Sequence, residues 1–209
     1  MTDGAGDAPF DAVLCDVDNV IRFYDPTELL ALERAAGLAE GTTMKIAFAP
    51  ETDLPLLLGQ VTQDEWAESV AAGLTGLVPE AQARQLAQTL SHQPFHADET
   101  VVDLLRRARA HVPLVLLTNA TLQLEEDLAS LGLTDLADHL VSSARVGLAK
   151  PDPRIFELAA DRAGARLDRC LFVDDTLENV EAATGLGMRA VHFRSAADLR
   201  RALAPLLEA

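Results

Sequence analysis

The sequence predicts an α/β fold: a parallel five-stranded sheet with flanking helices, and a small helical segment inserted after the first strand. Three observations carry this expectation. Along the second half, short apolar runs alternate with helical patterns, the arrangement of successive strand-helix units. The runs are continuously apolar, as strands covered on both faces are. Between the first run and the second lies a long stretch of helix and loop patterns with no comparable strand series. A chain of 209 residues accommodates one such core with a modest insertion.

From the N-terminus, MTDGAGDAP is small and polar, lacks the basic start and apolar stretch of a secretory signal, and is expected to be a frayed tail. AVLC, just before Asp16, is the first strand. The insertion is placed at residues 24–94, with 1–23 and 95–209 forming the core. Within it, ALERAAGL is helical in pattern. AFAPETDLPLLLGQ has two prolines and a terminal Gly59 and reads as an irregular connection. TQDEWAESVAAGL opens with Thr62 and Glu65 at capping-box spacing, and PEAQARQLAQTL opens with Pro79 at an expected first helical position. SHQPFH is the return linker, and DETVVDLLRRARAH leads back into the sheet half. There PLVLL, HLVSS, CLFVDD and RAVHF supply the remaining strands, separated by helical stretches such as TLQLEEDLASLG and PRIFELAADRAG.

Composition excludes several classes. Acidic residues number 33 against 17 basic, a formal charge of −16, which repels nucleic-acid phosphates and anionic lipid over most of the surface. No apolar run approaches the ~18 residues that a membrane-spanning helix requires. The expectation is therefore a cytoplasmic protein that binds neither nucleic acid nor membrane. Cys15 and Cys170 both lie in apolar runs, where cysteine behaves as a small buried hydrophobe. Their strands are expected to be neighbours, but if Asp16 and Asp174 end those strands at one level, the sulfurs are about three residues out of step. At ~3.3 Å per residue that is ~10 Å, beyond the ~7 Å Cα limit for a disulfide. Both thiols should stay unbridged.

Ligands of open parallel sheets bind beyond the carboxyl ends of the strands, so those ends carry the functional reading. The first strand ends at Asp16 and Asp18, the second at Thr118 and Asn119, and the fourth at Asp174 and Asp175. Lys150, before Pro151, lies in the loop after the third. Each alone is an ordinary turn or helix-cap signal. Together they bring carboxylates, a cation, a hydroxyl and an amide to one sheet edge. Such a set suits phosphoryl transfer through a covalent aspartyl phosphate, because a carboxylate can attack phosphorus only when the mutual repulsion is neutralised. A lysine and a Mg²⁺ ion would neutralise it, Mg²⁺ needing only a few hard oxygen ligands besides its waters. A second carboxylate beside the nucleophile can protonate the leaving alcohol and later deprotonate water.

These motifs resemble those of the haloacid dehalogenase superfamily of aspartate-nucleophile hydrolases, over about residues 12–193. The resemblance implies a Rossmann-like core with the insertion as the helical cap of subfamily I. In LCDVDNV it makes Asp16 the nucleophile and Asp18 the acid/base, with the Asp18 main-chain carbonyl a metal ligand. In LLTNAT, Thr118 and Asn119 would hold the transferring phosphoryl group. In GLAKPDPRIF, Lys150 would be the electrostatic partner of Asp16 and phosphate. In LFVDDTLENV, Asp175 would bind the metal directly, with Asp174 coupled to it; the implied Mg²⁺ set is thus Asp16, Asp18, Asp174 and Asp175. Arg22, just past the nucleophile loop, could meet an anionic substrate or form an ordinary salt bridge.

Asn19 stands where that family usually has glycine. Asparagine tolerates positive φ better than most residues, so the turn after the nucleophile should survive. Dehalogenating relatives carry an aromatic residue at the Asp18 position, which favours a phosphatase of small phosphorylated metabolites here. A phosphomutase or dehalogenase on the same core is the alternative, told apart by the product released. A non-catalytic phosphate-binding or signalling protein of receiver type is a further one, and the motif order argues against it. Trp66 is expected to anchor the core of the insertion, and His92 and His96 to be structural or solvent-facing. The insertion is expected to be a mobile lid, hinged near residues 23–26 and 93–97, that sets substrate choice.

Overall fold

The computed structural model describes residues 9–208, so most of the expected N-terminal tail lies outside it. The chain divides into two compact units, Met1–Phe23 with Ala97–Ala209, and Tyr24–His96; the return crossing thus falls slightly beyond residue 94.

In chain order the elements are β1 (Ala12–Cys15), β2 (Arg22–Tyr24), α1 (Thr27–Ala35), α2 (Thr42–Ala47), α3 (Pro50–Leu57), α4 (Gln63–Gly73) and α5 (Glu80–Ser91). There follow β3 (Phe95–Ala97), α6 (Glu99–Arg109), β4 (Leu114–Thr118), α7 (Leu124–Ser130), β5 (His139–Ser142) and α8 (Ser143–Val146). The chain closes with α9 (Pro153–Ala163), β6 (Cys170–Asp174), α10 (Leu177–Gly185), β7 (Arg189–His192) and α11 (Ala196–Leu207).

The main sheet has five strands in the order β5-β4-β1-β6-β7, with every pairing parallel. Its three central strands are buried along their whole length. Alternation within each strand divides the core in two. Val13, Cys15, Leu114, Leu116, Leu171 and Val173 face one layer, built with α6, α7 and α11. Ala12, Leu14, Val115, Leu117, Cys170 and Phe172 face the other, built with α9 and α10. Two covered faces explain why these strands read as unbroken apolar runs. In the second layer Phe156 and Phe172 pack edge to face, ring centres 5.2 Å apart at 87°, a contact contributing about 0.5–1.5 kcal/mol beyond area burial.

The flanking helices start and stop where side chains satisfy their ends. Asp98 accepts from the Thr100 and Val101 N–H groups at the start of α6, whose last turn carries Arg106, Arg107 and Arg109 against the negative end of the helix dipole. At α9, Asp152 caps the start ahead of Pro153. Gly164, at φ 65°, ends it with the Ala165 N–H returning to the Ala160 carbonyl.

β1 and β6 pair with Ala12 opposite Cys170 and Cys15 opposite Val173. The cysteines are therefore out of step as expected and also face opposite core layers; both are free, buried thiols.

Five helices, α1 to α5, make up the second unit around a core of Leu29, Trp66, Val70, Leu74, Leu86 and Leu90. The Thr62–Glu65 capping box is present, and Trp66 is buried. The buried Glu33 carboxylate accepts the Gly41 and Thr43 N–H groups, each at 2.6 Å, tying α1 to the start of α2. Two expectations need correction. The proline-containing connection is helical over Pro50–Leu57: Pro50 sits in the first turn, where no N–H is needed, and Pro55 removes one backbone bond without stopping the helix. Pro79 is the cap of α5 rather than its first residue. β2 and β3, which form a separate two-stranded sheet, have no counterpart in the expected elements; at three residues each and with mixed exposure they carry no periodic signal.

Candidate active site

Backbone register places the acids. Cys15 pairs with Val173, and the Asp16 N–H donates to the Val173 carbonyl at 2.9 Å. Asp16 and Asp174 are thus carried to the carboxyl edge of the sheet on neighbouring strands. The chain after Asp16 curls at once: the Ile21 and Arg22 N–H groups return to the Val17 carbonyl at 2.8 and 2.9 Å, and Asn19 has φ 58°. Asparagine therefore adopts the left-handed turn expected of it. Its side-chain amide favours the ionised form of the nearby Asp175 carboxyl.

Asp16, Asp174 and Asp175 each offer a carboxylate oxygen, all within 4.8 Å of one another. Lys150 lies among them, its Nζ 2.9 Å from Asp16 Oδ1 and 2.6 Å from Asp174 Oδ2. The ammonium is fully covered and stands 5.7 Å from the centre of the Phe172 ring. Burial works against its charge, but Asp16 and Asp174 outweigh that and hold the Lys150 pKa above its ordinary value. For Asp16 burial dominates: it pushes the carboxyl up to about 7, assisted by repulsion from Asp174 and Asp18 and opposed by Lys150. Burial and the Asp174 charge likewise raise Asp175.

Several contacts hold these groups still. Asp16 Oδ1 accepts the Val17 N–H at 2.8 Å. Asp174 Oδ1 accepts the Thr176 N–H at 2.7 Å, and Asn179 Nδ2 donates to both Asp174 oxygens at 3.2 and 3.1 Å. Asn119 clasps the Lys150 backbone from both ends of its amide: Oδ1 accepts the Lys150 N–H at 2.8 Å, and Nδ2 donates to the Lys150 carbonyl at 2.9 Å. Thr118, at the end of β4, is fully buried, and its hydroxyl has no hydrogen-bond partner in the structure. An orphaned buried hydroxyl at such an edge is a ready donor to an oxyanion.

Among the sequence-derived candidates, Asp16, Asp174, Asp175 and Lys150 come together directly. Asn119 joins them through the Lys150 backbone. The Asp18 carboxylate is turned instead to Arg22, whose guanidinium is engaged by both Asp18 and Asp127. His92 is exposed, with its ring against the Gln88 carbonyl, and His96 is exposed; neither belongs to the acidic group. Asn179 and Asp127 were not singled out from sequence. Asn179 had a signal, an amide one helical turn beyond the Asp174-Asp175 pair; Asp127, distant in sequence from Arg22, had none.

The donor set suits a small hard cation. Three carboxylates converge with only one lysine among them, and burial and mutual repulsion leave two of them with raised pKa, the electrostatic condition that a divalent ion relieves.

Comparison with known proteins decides the family: the model of the haloacid dehalogenase-like hydrolases matches residues 10–187. This chain belongs to that family. Among curated relatives it is similar to a phosphatase of Mycobacterium tuberculosis, 47% identical over 58 residues, 28% of this chain and 27% of the relative. It is also similar to the glyceraldehyde 3-phosphate phosphatase of Methanothermobacter thermautotrophicus, 33% identical over 105 residues, 49% of this chain and 46% of the relative. The matches thus span from about a quarter to about half of these relatives' lengths. The fold matches that of a family enzyme from Bacteroides thetaiotaomicron solved with magnesium and inorganic phosphate. Its TM-score is 0.68 at 19% identity, over 88% of this chain and 94% of that one. No helix among the described residues of this hydrolase is long and apolar enough to cross a membrane.

Proposed function

We propose that this hydrolase is a Mg²⁺-dependent phosphatase of small phosphomonoesters that works through an aspartyl phosphate on Asp16. The observation that carries the reading is the meeting of a buried carboxylate and a buried lysine beside two further acids, with an unpartnered buried threonine hydroxyl at the end of the neighbouring strand β4. The phosphatase-named relatives support it, as does an acid rather than an aromatic residue at position 18.

The Asp16 carboxylate attacks phosphorus as the bond from phosphorus to the ester oxygen breaks, and Asp18, as general acid, gives a proton to the departing alkoxide. Lys150 and the Thr118 hydroxyl meet the phosphoryl oxygens, while Asn119 keeps Lys150 in place. Water then attacks phosphorus, its proton passes to Asp18, and Asp16 and inorganic phosphate are released. Asp16, Asp174 and Asp175, with the Asp18 main-chain carbonyl, would hold Mg²⁺, which when bound neutralises charge between nucleophile and phosphate. The substrate is a small phosphorylated metabolite, and the reduced, buried thiols suit a cytoplasmic setting.

Phosphate release from sugar phosphates, phosphoglycolate and nucleotides, with Mg²⁺ and with excess EDTA, tests the reading. Metal-dependent release from some of them is expected. Halide release from 2-haloacids without phosphate release from any ester would replace the proposal by dehalogenation.

A further inference from the structure

Arg22 and Asp127 lie outside the acid cluster, yet they form a chain of charges that ends on Asp18. Arg22 Nε donates to Asp18 Oδ1 at 2.6 Å and Nη2 to Asp18 Oδ2 at 3.1 Å. This two-point fork fixes the plane of the carboxylate as well as its position. Through Nη1 the same guanidinium donates to Asp127 Oδ2 on α7 at 2.6 Å. The Arg22 side chain is 4% exposed, whereas those of Asp18 and Asp127 are 29% and 28% exposed. The cation is thus the fixed centre, and the two acids reach it from the rim. Main-chain bonds fix it further: the Arg22 N–H donates to the Val17 carbonyl at 2.9 Å, and the Asn19 N–H to the Arg22 carbonyl at 2.8 Å. The fork restrains Asp18 to one orientation; in the acid form one oxygen keeps its Arg22 N–H while the other carries the proton toward the leaving oxygen.

A general acid works only within hydrogen-bond reach of the leaving oxygen, and small misplacements are costly. Resting on the phosphatase reading, we propose that Arg22 and Asp127 are positioning residues that aim the Asp18 carboxyl group, Asp127 acting through Arg22. This gives Arg22 a role on the acid/base rather than on the substrate anion.

Leaving-group dependence isolates that role. An alkoxide must be protonated as it departs, whereas p-nitrophenolate departs without help. kcat/KM reports the steps up to formation of the aspartyl phosphate, where the proton is given. With Mg²⁺ present, Asp127→Asn is expected to lower kcat/KM for a short alkyl phosphate by ~10-fold while leaving that for p-nitrophenyl phosphate within about twofold, a fraction of the ~10²–10⁴ that acid-base catalysis contributes. Arg22→Lys, which keeps the charge but loses the fork, should show a larger selective loss. If Arg22→Lys does not fold, Asp127→Asn decides alone. Equal scaling of both esters, or an unchanged ratio, would overturn the proposal, because a purely structural contact does not distinguish leaving groups. Faster alkyl phosphate turnover would also overturn it, since the pair would then be withholding Asp18. A wild-type protein that hydrolyses neither ester would overturn the phosphatase reading and this inference together.

Discussion

Lys150 Nζ stands 2.6 Å from Asp174 Oδ2 in a site from which solvent is excluded for both side chains. The same ammonium reaches Asp16, so one cation offsets two buried carboxylates, and the half-buried Asp175 stands beside them. Left as it stands, the cluster carries excess negative charge in a poorly solvated place, a costly arrangement that functional sites tolerate.

Asp16→Asn should reduce turnover by at least ~10³-fold, because the amide is a poor nucleophile and no other acid takes its place at the carboxyl end of β1. The fold should not suffer. The Asp16 carboxyl is raised from 3.8 to about 7, so in metal-free protein its contribution to stability is favourable at low pH and is lost as pH rises between those values. The asparagine variant, which never ionises, should therefore melt at or above the wild-type temperature at pH 8 without metal. Melting curves at pH 5 and pH 8 check this; a variant much less stable at pH 8 would contradict it.

Thr118→Val should separate stability from activity. The hydroxyl is buried and unpartnered, so replacing it with a methyl removes a desolvation penalty and should leave stability unchanged or raise it by ~1 kcal/mol. If the hydroxyl meets phosphate, kcat/KM should fall ~10-fold or more in the same variant. Unchanged kinetics would remove Thr118 from the site.

Asp175→Ala should raise the Mg²⁺ concentration needed for half-maximal activity, or abolish activity, by deleting one of three converging carboxylates. Calorimetric titration of Mg²⁺ into the metal-free protein gives a readout independent of turnover and should show weakened binding. Equal affinity in variant and wild type would move the metal elsewhere.

Asp53, partly buried in α3, is raised from 3.8 to about 6 by burial. Its ionised form therefore destabilises the fold as pH rises through that window and fully above it. Asp53→Asn should stabilise by about 1 kcal/mol at pH 8, discounting for partial exposure, and by little at pH 4. A stability gain of equal size at both values would show that the charge is not responsible.

Much of the fold was legible because continuous apolar runs such as AVLC and CLFVDD have one good explanation, strands covered on both faces. The acids at their ends were legible for the same reason, since register carries Asp16 and Asp174 to one edge. Less visible was anything depending on a partner distant in sequence. That Asn119 clasps the Lys150 backbone, and that Asp127 reaches Arg22 from α7, follow from packing of elements whose contacts no local pattern encodes. α3 was hidden differently: prolines in PETDLPLL mark a break by local propensity, yet the helix persists in its packed setting.

The most direct test of an aspartyl phosphate on Asp16 is to mix the Mg²⁺-loaded protein with a hydrolysed phosphomonoester, quench during turnover with borohydride, and map the peptides by mass spectrometry. Borohydride reduces an acyl phosphate to the alcohol and leaves a free carboxylate untouched, so homoserine is expected at position 16 with substrate present and absent without it. Phosphate release with Asp16 unreduced, or homoserine at another acid instead, would contradict the assignment.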